Sequence, residues 1–172
     1  MSERLVMVNM GQLAVSGNPE AVLSALGLGS CVAVCAYDPV ARLGGLIHVV
    51  LPSSVIGRPH DGPAKFADLG VPRLVAAMQK AGAACSRLRT GILGGANVLS
   101  TLDHGGVSHI GARNVEAVRQ ALAEARLTPL AEDMGGKASR TVRLHISDGD
   151  IVVKTVRAGE AHMTSLGVLR AQ

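Results

Sequence analysis

Aromatic side chains are nearly absent: in 172 residues Tyr37 and Phe66 are the only two, and there is no tryptophan. The core must therefore be aliphatic, and the stacking platforms that hold single-stranded nucleic acids have no residues to build them. Charge is sparse as well, at 17% of residues, and the net +4 comes from basic residues scattered singly rather than gathered into a stripe or tail. That pattern reads as an ordinary solvated surface and argues against a nucleic-acid partner. Cysteine is limited to Cys31, Cys35 and Cys85, an odd number without the dense spacing of a disulfide framework, which points to a reducing, cytoplasmic setting. No signal-peptide pattern opens the chain. The uncharged stretch from Ala21 to Tyr37 is shorter than the roughly 20 residues a membrane helix needs, and Gly27, Gly29 and Ser30 break it. It reads as buried core, so the chain is not expected to be membrane-embedded.

What is abundant is small and aliphatic: hydrophobic residues make up 48%, enough to exclude disorder. The length suits one domain over residues 1–172. Residues 4–15, "RLVMVNMGQLAV", suggest a pair of short strands around Gly11, followed by a turn at "GNPE". "CVAVCAY" and "GGLIHVVLP" are β-rich runs joined by "DPVA", with Asp and Pro at the first two turn positions, and read as a hairpin. After the loop-like "RPHDGPAKFADLG", a helix is expected to open at Pro72 and close at Gly82, with Leu74, Val75 and Met78 on one face. "RLRTGILGGANVL" reads as a buried strand entering a tight turn at Gly94 and Gly95.

In "IGARNVEAVRQALAEARL", Val115, Val118, Ala121, Leu122 and Ala125 recur at helical spacing. "RTVRLHIS" and "DIVVKTV" flank Asp148-Gly149, a hairpin signal, while the last dozen residues carry no clear pattern. Strands in runs with two inserted helices predict an α+β, or mixed α/β, sandwich of mixed β-sheets flanked by helices.

The chemistry concentrates at Cys31. If the "DPVA" turn is symmetric about Pro39 and Val40, Cys31 and His48 face each other across the hairpin, where directly opposed residues lie about 5 Å apart and share a face. A bulge at Gly44 or Gly45 would instead send them to opposite faces. An imidazole beside a thiol can populate thiolate and imidazolium, giving a nucleophile and an acid together. Gly29 and Ser30 let backbone N–H groups turn toward a developing oxyanion. The plain alternative is that Cys31 is a small buried strand residue and His48 a satisfied core histidine.

Metal chemistry is weaker. Cys31 and Cys35 lack two further ligands nearby, and Asp103, His104 and His109 in "DHGGVSH" read better as a polar turn than as an ion site. The fragment "GLG" has no helix start or acidic partner in the place a dinucleotide fingerprint requires. No metal and no cofactor is expected.

These residues resemble a family. The segments "GQLAV", "LGLGSCVAVCAYDPVARLGGLIHVVLP", "GGAN", "IGARNVEAVRQAL" and "AEDMGGKASRTVRLHISDG" are similar, in order and near spacing, to the chemoreceptor glutamine deamidases of bacterial and archaeal chemotaxis, CheD. The resemblance implies a cytoplasmic cysteine hydrolase that converts glutamine side chains on the cytoplasmic helices of methyl-accepting chemotaxis receptors to glutamate through a thioester. Cys31 would be its nucleophile and His48 its base. It implies a fold similar to the cytotoxic-necrotizing-factor type of sandwich, no cofactor, and a possible second partner, a CheC-type phosphatase. The family usually carries a threonine directly before "LGLGSC", where this chain has Ala25; Ser24, Ser30, a backbone carbonyl or water would then orient the imidazole. A protein with weakened catalysis would act instead as an adaptor for receptors or the phosphatase.

Overall fold

The computed structural model describes residues 3–98, 109–155 and 159–167. Among the described residues ten strands form two sheets. Strands β1 (Arg4–Met7), β3 (Ala21–Leu28), β8 (Arg140–His145), β9 (Asp150–Thr155) and β10 (Gly159–Ser165) lie in the order β1-β3-β8-β9-β10. Strands β2 (Leu13–Ser16), β5 (Leu43–Val49), β4 (Val32–Asp38), β6 (Arg89–Gly94) and β7 (Pro129–Met134) lie in the order β2-β5-β4-β6-β7. β1 runs parallel to β3 and β6 parallel to β7, while the other pairings are antiparallel, so both sheets are mixed as expected.

Residue alternation along the central strands divides the core into two layers. Ala33, Cys35 and Tyr37 of β4, Leu46 of β5 and Leu93 of β6 pack between the sheets against Leu23, Ala25, Val142, Leu144 and Ile151. Val32, Val34, Ile47, Val49 and Ile92 point the other way, onto α1 (Ala67–Lys80) and α2 (Ile110–Glu124). The result is an α+β sandwich of three layers, helices on sheet on sheet. The central strands are apolar on both faces, and all seven residues of β4 are buried. Gly44 permits the close approach of the sheets, because a Cβ there would collide with Ile146.

Four expectations change. Residues 4–15 do not form a strand pair: β1 joins β3 and β2 joins β5, in different sheets. The segment between them is held on the backbone of His48, which takes the Gly11 N–H on its carbonyl at 2.9 Å and donates its own N–H to Gln12 at 3.0 Å. The first helix opens at Ala67, five residues before Pro72. Burial of Phe66 at its N-cap, bridged to Leu51, fixes that start, and Pro72 costs only the hydrogen bond to the Asp68 carbonyl that it cannot make. The closing residues contain β10, which pairs with β9 through a register shift between His162 and Thr164. That irregularity hides the period of two.

The fourth change is the hairpin register. β4 and β5 pair Asp38 with Leu43 and Ala33 with His48, so the loop holds four residues rather than two and its centre lies between Val40 and Ala41. Asp38 dictates this: its carboxylate takes the N–H groups of Val40 and Ala41, that of Ala84, and the Arg87 guanidinium at 2.8 Å. Burial alone would raise its pKa, but those donors hold it well below the usual carboxylate range. Arg42 closes the loop in the left-handed region at φ 52°. The shift is by two, so the parity survives.

Candidate functional site

Cys31 stands one residue before β4, half-buried, at the mouth of the inter-sheet layer. His48 lies near the end of β5 and is 3% exposed. Ala33, not Cys31, is directly opposite His48. Cys31 sits diagonally, two positions along the same face, which is the arrangement a register shift of two leaves intact.

The imidazole is fixed from one side. Its Nδ1 lies 3.1 Å from the Val8 carbonyl oxygen, and because a carbonyl only accepts, Nδ1 carries the proton. Nε2 is then an unprotonated acceptor; it is buried and has no hydrogen-bond partner among the described residues, the Cys31 thiol included. Burial pushes the His48 pKa below its ordinary value, opposed by the bond to Val8. Burial likewise raises the Cys31 thiol, opposed by its own backbone N–H. The resting pair is thus neutral thiol and neutral imidazole, not the thiolate and imidazolium that the pairing alone suggested. Desolvation is the larger influence on each group, outweighing the Cys31 N–H at the thiol and the Val8 carbonyl at the imidazole.

His48 opens on a cleft of about 520 Å³ lined by Val8, Asn9, Met10, Leu26 and Gly27. The cleft owes its outer wall to a register shift in the β3–β8 pairing between Ala25 and Leu28. There Leu26 swings out to 52% exposure and Gly27 adopts φ +61°, before Leu28 returns to the core. Met10, 69% exposed, completes an apolar rim.

The residues before Cys31 are anchored through their carbonyls. Ala96 N–H donates to Gly29 at 2.7 Å, Asn114 Nδ2 to Ser30 at 2.9 Å, and Gly95 N–H to Cys31 at 2.8 Å. These bonds use the carbonyls and leave the N–H groups of Gly29 and Ser30 out, while that of Cys31 faces its own thiol. Gly94 makes this possible: its φ is +114°, and a Cβ would collide with the Cys31 carbonyl oxygen.

The other candidates separate. Ala25 is fully buried and faces the inter-sheet layer, the side of His48. Ser24 does not: strand alternation turns it to the opposite face of its sheet, where its buried Oγ has no hydrogen-bond partner among the described residues, so it cannot support the imidazole. Cys35 lies on the same face as Cys31 but is fully buried, and desolvation pushes its thiol up to about 12, leaving it inert. Among the described residues no three His, Cys, Asp or Glu side chains could hold a metal ion; Asp103 and His104 lie outside the described residues.

Asn114 is the site residue that the sequence did not disclose. It stands in α2, four residues before Val118, on the helix face that packs into the core, and the only signal was an amide at an otherwise apolar position.

Residues 50–155 match the family model described as CheD chemotactic sensory transduction, a match that begins two residues after His48. The chain is 48% identical over 158 residues to the probable chemoreceptor glutamine deamidase CheD of Symbiobacterium thermophilum, covering 91% of this chain and 96% of that one. It is 44% identical over 154 residues to the chemoreceptor glutamine deamidase CheD of Thermotoga maritima, covering 90% and 94%. Both relatives carry the name of a glutamine deamidase, which sets the class as an amide-hydrolysing enzyme. The chain belongs to the CheD family. Among solved structures, the Bacillus licheniformis hypothetical protein YfiH is a more distant likeness, at TM-score 0.46 and 16% identity, covering 77% of this chain and 59% of that one.

Proposed function

We propose that this protein is an active chemoreceptor glutamine deamidase of the cytoplasm, with Cys31 as nucleophile and His48 as general base and acid. The carrying observation is His48 itself: Nδ1 is committed to the Val8 carbonyl, and Nε2 is an acceptor unpartnered among the described residues, on the face that Cys31 shares. In the reaction Cys31 Sγ attacks the carboxamide carbon of a receptor glutamine as Nε2 takes the thiol proton. N–H groups among Gly29, Ser30 and Cys31 receive the oxyanion, and the imidazolium gives its proton to the departing ammonia. Nε2 then takes a proton from water, hydroxide attacks the thioester carbon, and the C–S bond breaks. The imidazolium returns its proton to the departing sulfur, so Cys31 is restored as a thiol and glutamate is left on the receptor. The Val8 carbonyl fills the orienting role that the family gives to a threonine and that Ala25 cannot perform.

Support for the receptor as substrate comes from the names of the two relatives and from the apolar rim of Met10 and Leu26, which suits a helix surface around a glutamine. A CheC-type phosphatase that imitates that surface would compete for the same rim. None of the described helices is long and apolar enough to cross a membrane, so the receptor would be met from solution.

The test is mass spectrometry of a receptor cytoplasmic fragment after incubation with the protein. Amide-to-acid conversion is expected at defined glutamines, and its loss in Cys31→Ala and His48→Ala, with receptor binding retained. Conversion by Cys31→Ala at the unsubstituted rate would remove the nucleophile assignment. Binding without conversion by the unsubstituted protein would leave the adaptor role that Ala25 allows.

A further inference from the structure

Of the three carbonyl anchors around the nucleophile, one also reaches the chain two residues beyond His48. Asn114 Nδ2 donates to the Ser30 carbonyl, one residue before Cys31, and to the Val50 carbonyl, two residues after His48, each at 2.9 Å. Asn114 is fully buried, so both bonds are formed away from water. A single amide group therefore ties the loop that ends at Cys31 to the residue that directly follows the strand carrying His48.

Its own placement is firm. One turn earlier in α2, Gly111 packs so closely on the Gly95 and Ala96 carbonyls that a Cβ would lie 2.7 Å and 3.0 Å from them. Gly95 and Ala96 are the residues whose N–H groups hold Cys31 and Gly29. The start of α2 thus braces the whole nucleophile loop.

We propose that Asn114 is a positioning residue that sets the placement of Cys31 relative to His48. It touches neither the reacting atoms nor, on this reading, the substrate, and it acts through two backbone carbonyls. The requirement is chemical: two N–H donors must leave one atom toward two acceptors, which an amide supplies, a hydroxyl only half supplies, and an ionised carboxylate reverses. The inference rests on the Cys31–His48 reading above, and its test separates the two.

The test is iodoacetamide alkylation of Cys31, followed by peptide mass spectrometry, in the full chain without receptor. The quantity read is the ratio of the rate with His48 to the rate in His48→Ala. In the unsubstituted protein the ratio is expected well above one, since Nε2 accepts the thiol proton. In Asn114→Ala it is expected to fall to about one, and in Asn114→Ser to an intermediate value. On receptor fragment, kcat of Asn114→Ala should fall about 10- to 100-fold with KM nearly unchanged, the usual effect of misplacing a reacting group.

Continued protection of Cys35 reports that each variant is folded. A ratio above one that Asn114→Ala leaves unchanged overturns the proposal alone. A ratio of one in the unsubstituted protein removes the Cys31–His48 pairing, and the proposal with it. If both Asn114 variants unfold, Asn114 is a residue of the fold and the positioning role is lost.

Discussion

A thiol and an imidazole can cooperate as an ion pair or as neutral partners, and the balance is set by how much water each keeps. Burial here raises Cys31 above its ordinary 9.0 and lowers His48 below its ordinary 6.5, so both shifts favour the neutral pair. Catalysis then needs only a neutral imidazole. The acid limb of kcat/KM is expected below pH 6.5, with no further rise in rate near neutrality from thiolate formation. A limb above pH 6.5 in the free enzyme would show instead that the ion pair forms. The same depressed pKa has a consequence for stability: His48 contributes no pH dependence above 6.5, and stability is lost as pH falls through the folded-state value, where the unfolded chain binds the proton more readily.

Position 25 is the second matter at this scale. It faces the inter-sheet layer at 0% exposure, so Ala25→Thr inserts volume and a hydroxyl into packed core. With Nδ1 already held by Val8, the added hydroxyl has little orienting work to do. The variant is expected to lose about 1 to 3 kcal/mol in urea unfolding, while kcat changes less than about threefold. A gain of ten times or more would mean that Val8 does not replace the threonine.

At the scale of elements, the loop before β4 and the turn after β6 form one device. β6 enters Gly94 and Gly95, and their conformation turns two backbone donors onto Gly29 and Cys31. Gly94→Ala must give up a φ of +114° or push the Cys31 carbonyl aside. The expected cost is roughly 2 to 4 kcal/mol in urea unfolding, together with loss of deamidation even at temperatures where the variant stays folded. Retained activity in a destabilised variant would show that this turn supports the fold without shaping the site. The β4–β5 hairpin contributes differently. Its loop is lengthened by Asp38, yet a slip of two keeps every side chain on its face, so Cys31 and His48 remain on one surface.

At the scale of the whole molecule, both core layers are aliphatic apart from Tyr37, and Cys35 is sealed in the inner one. Its thiol is reachable only when the sheets separate. Alkylation of Cys35 across a urea series is therefore expected to follow the same midpoint as loss of circular dichroism, whereas labelling well below that midpoint would reveal that the outer sheet detaches first.

What the sequence by itself determined are the features carried by near neighbours. Helix α2 followed from a period of 3.6, the β8–β9 hairpin from Asp148-Gly149, the tight turn from Gly94-Gly95, and the shared face of Cys31 and His48 from parity across a hairpin. A period of two is insensitive to a shift of two, which is why that last inference survived a wrong turn length. Only the tertiary structure decided how β1 and β2 part into different sheets, since each finds its partner far along the chain. It also decided that Ser24 turns away from the site while Ala25 faces it, and that a backbone carbonyl of Val8 holds the imidazole. Asn114 belongs to the same class: its two acceptors lie 84 and 64 residues away, and a bond across that separation leaves no local pattern. The protonation state was likewise decided by burial, which depends on every layer that packs around the pair.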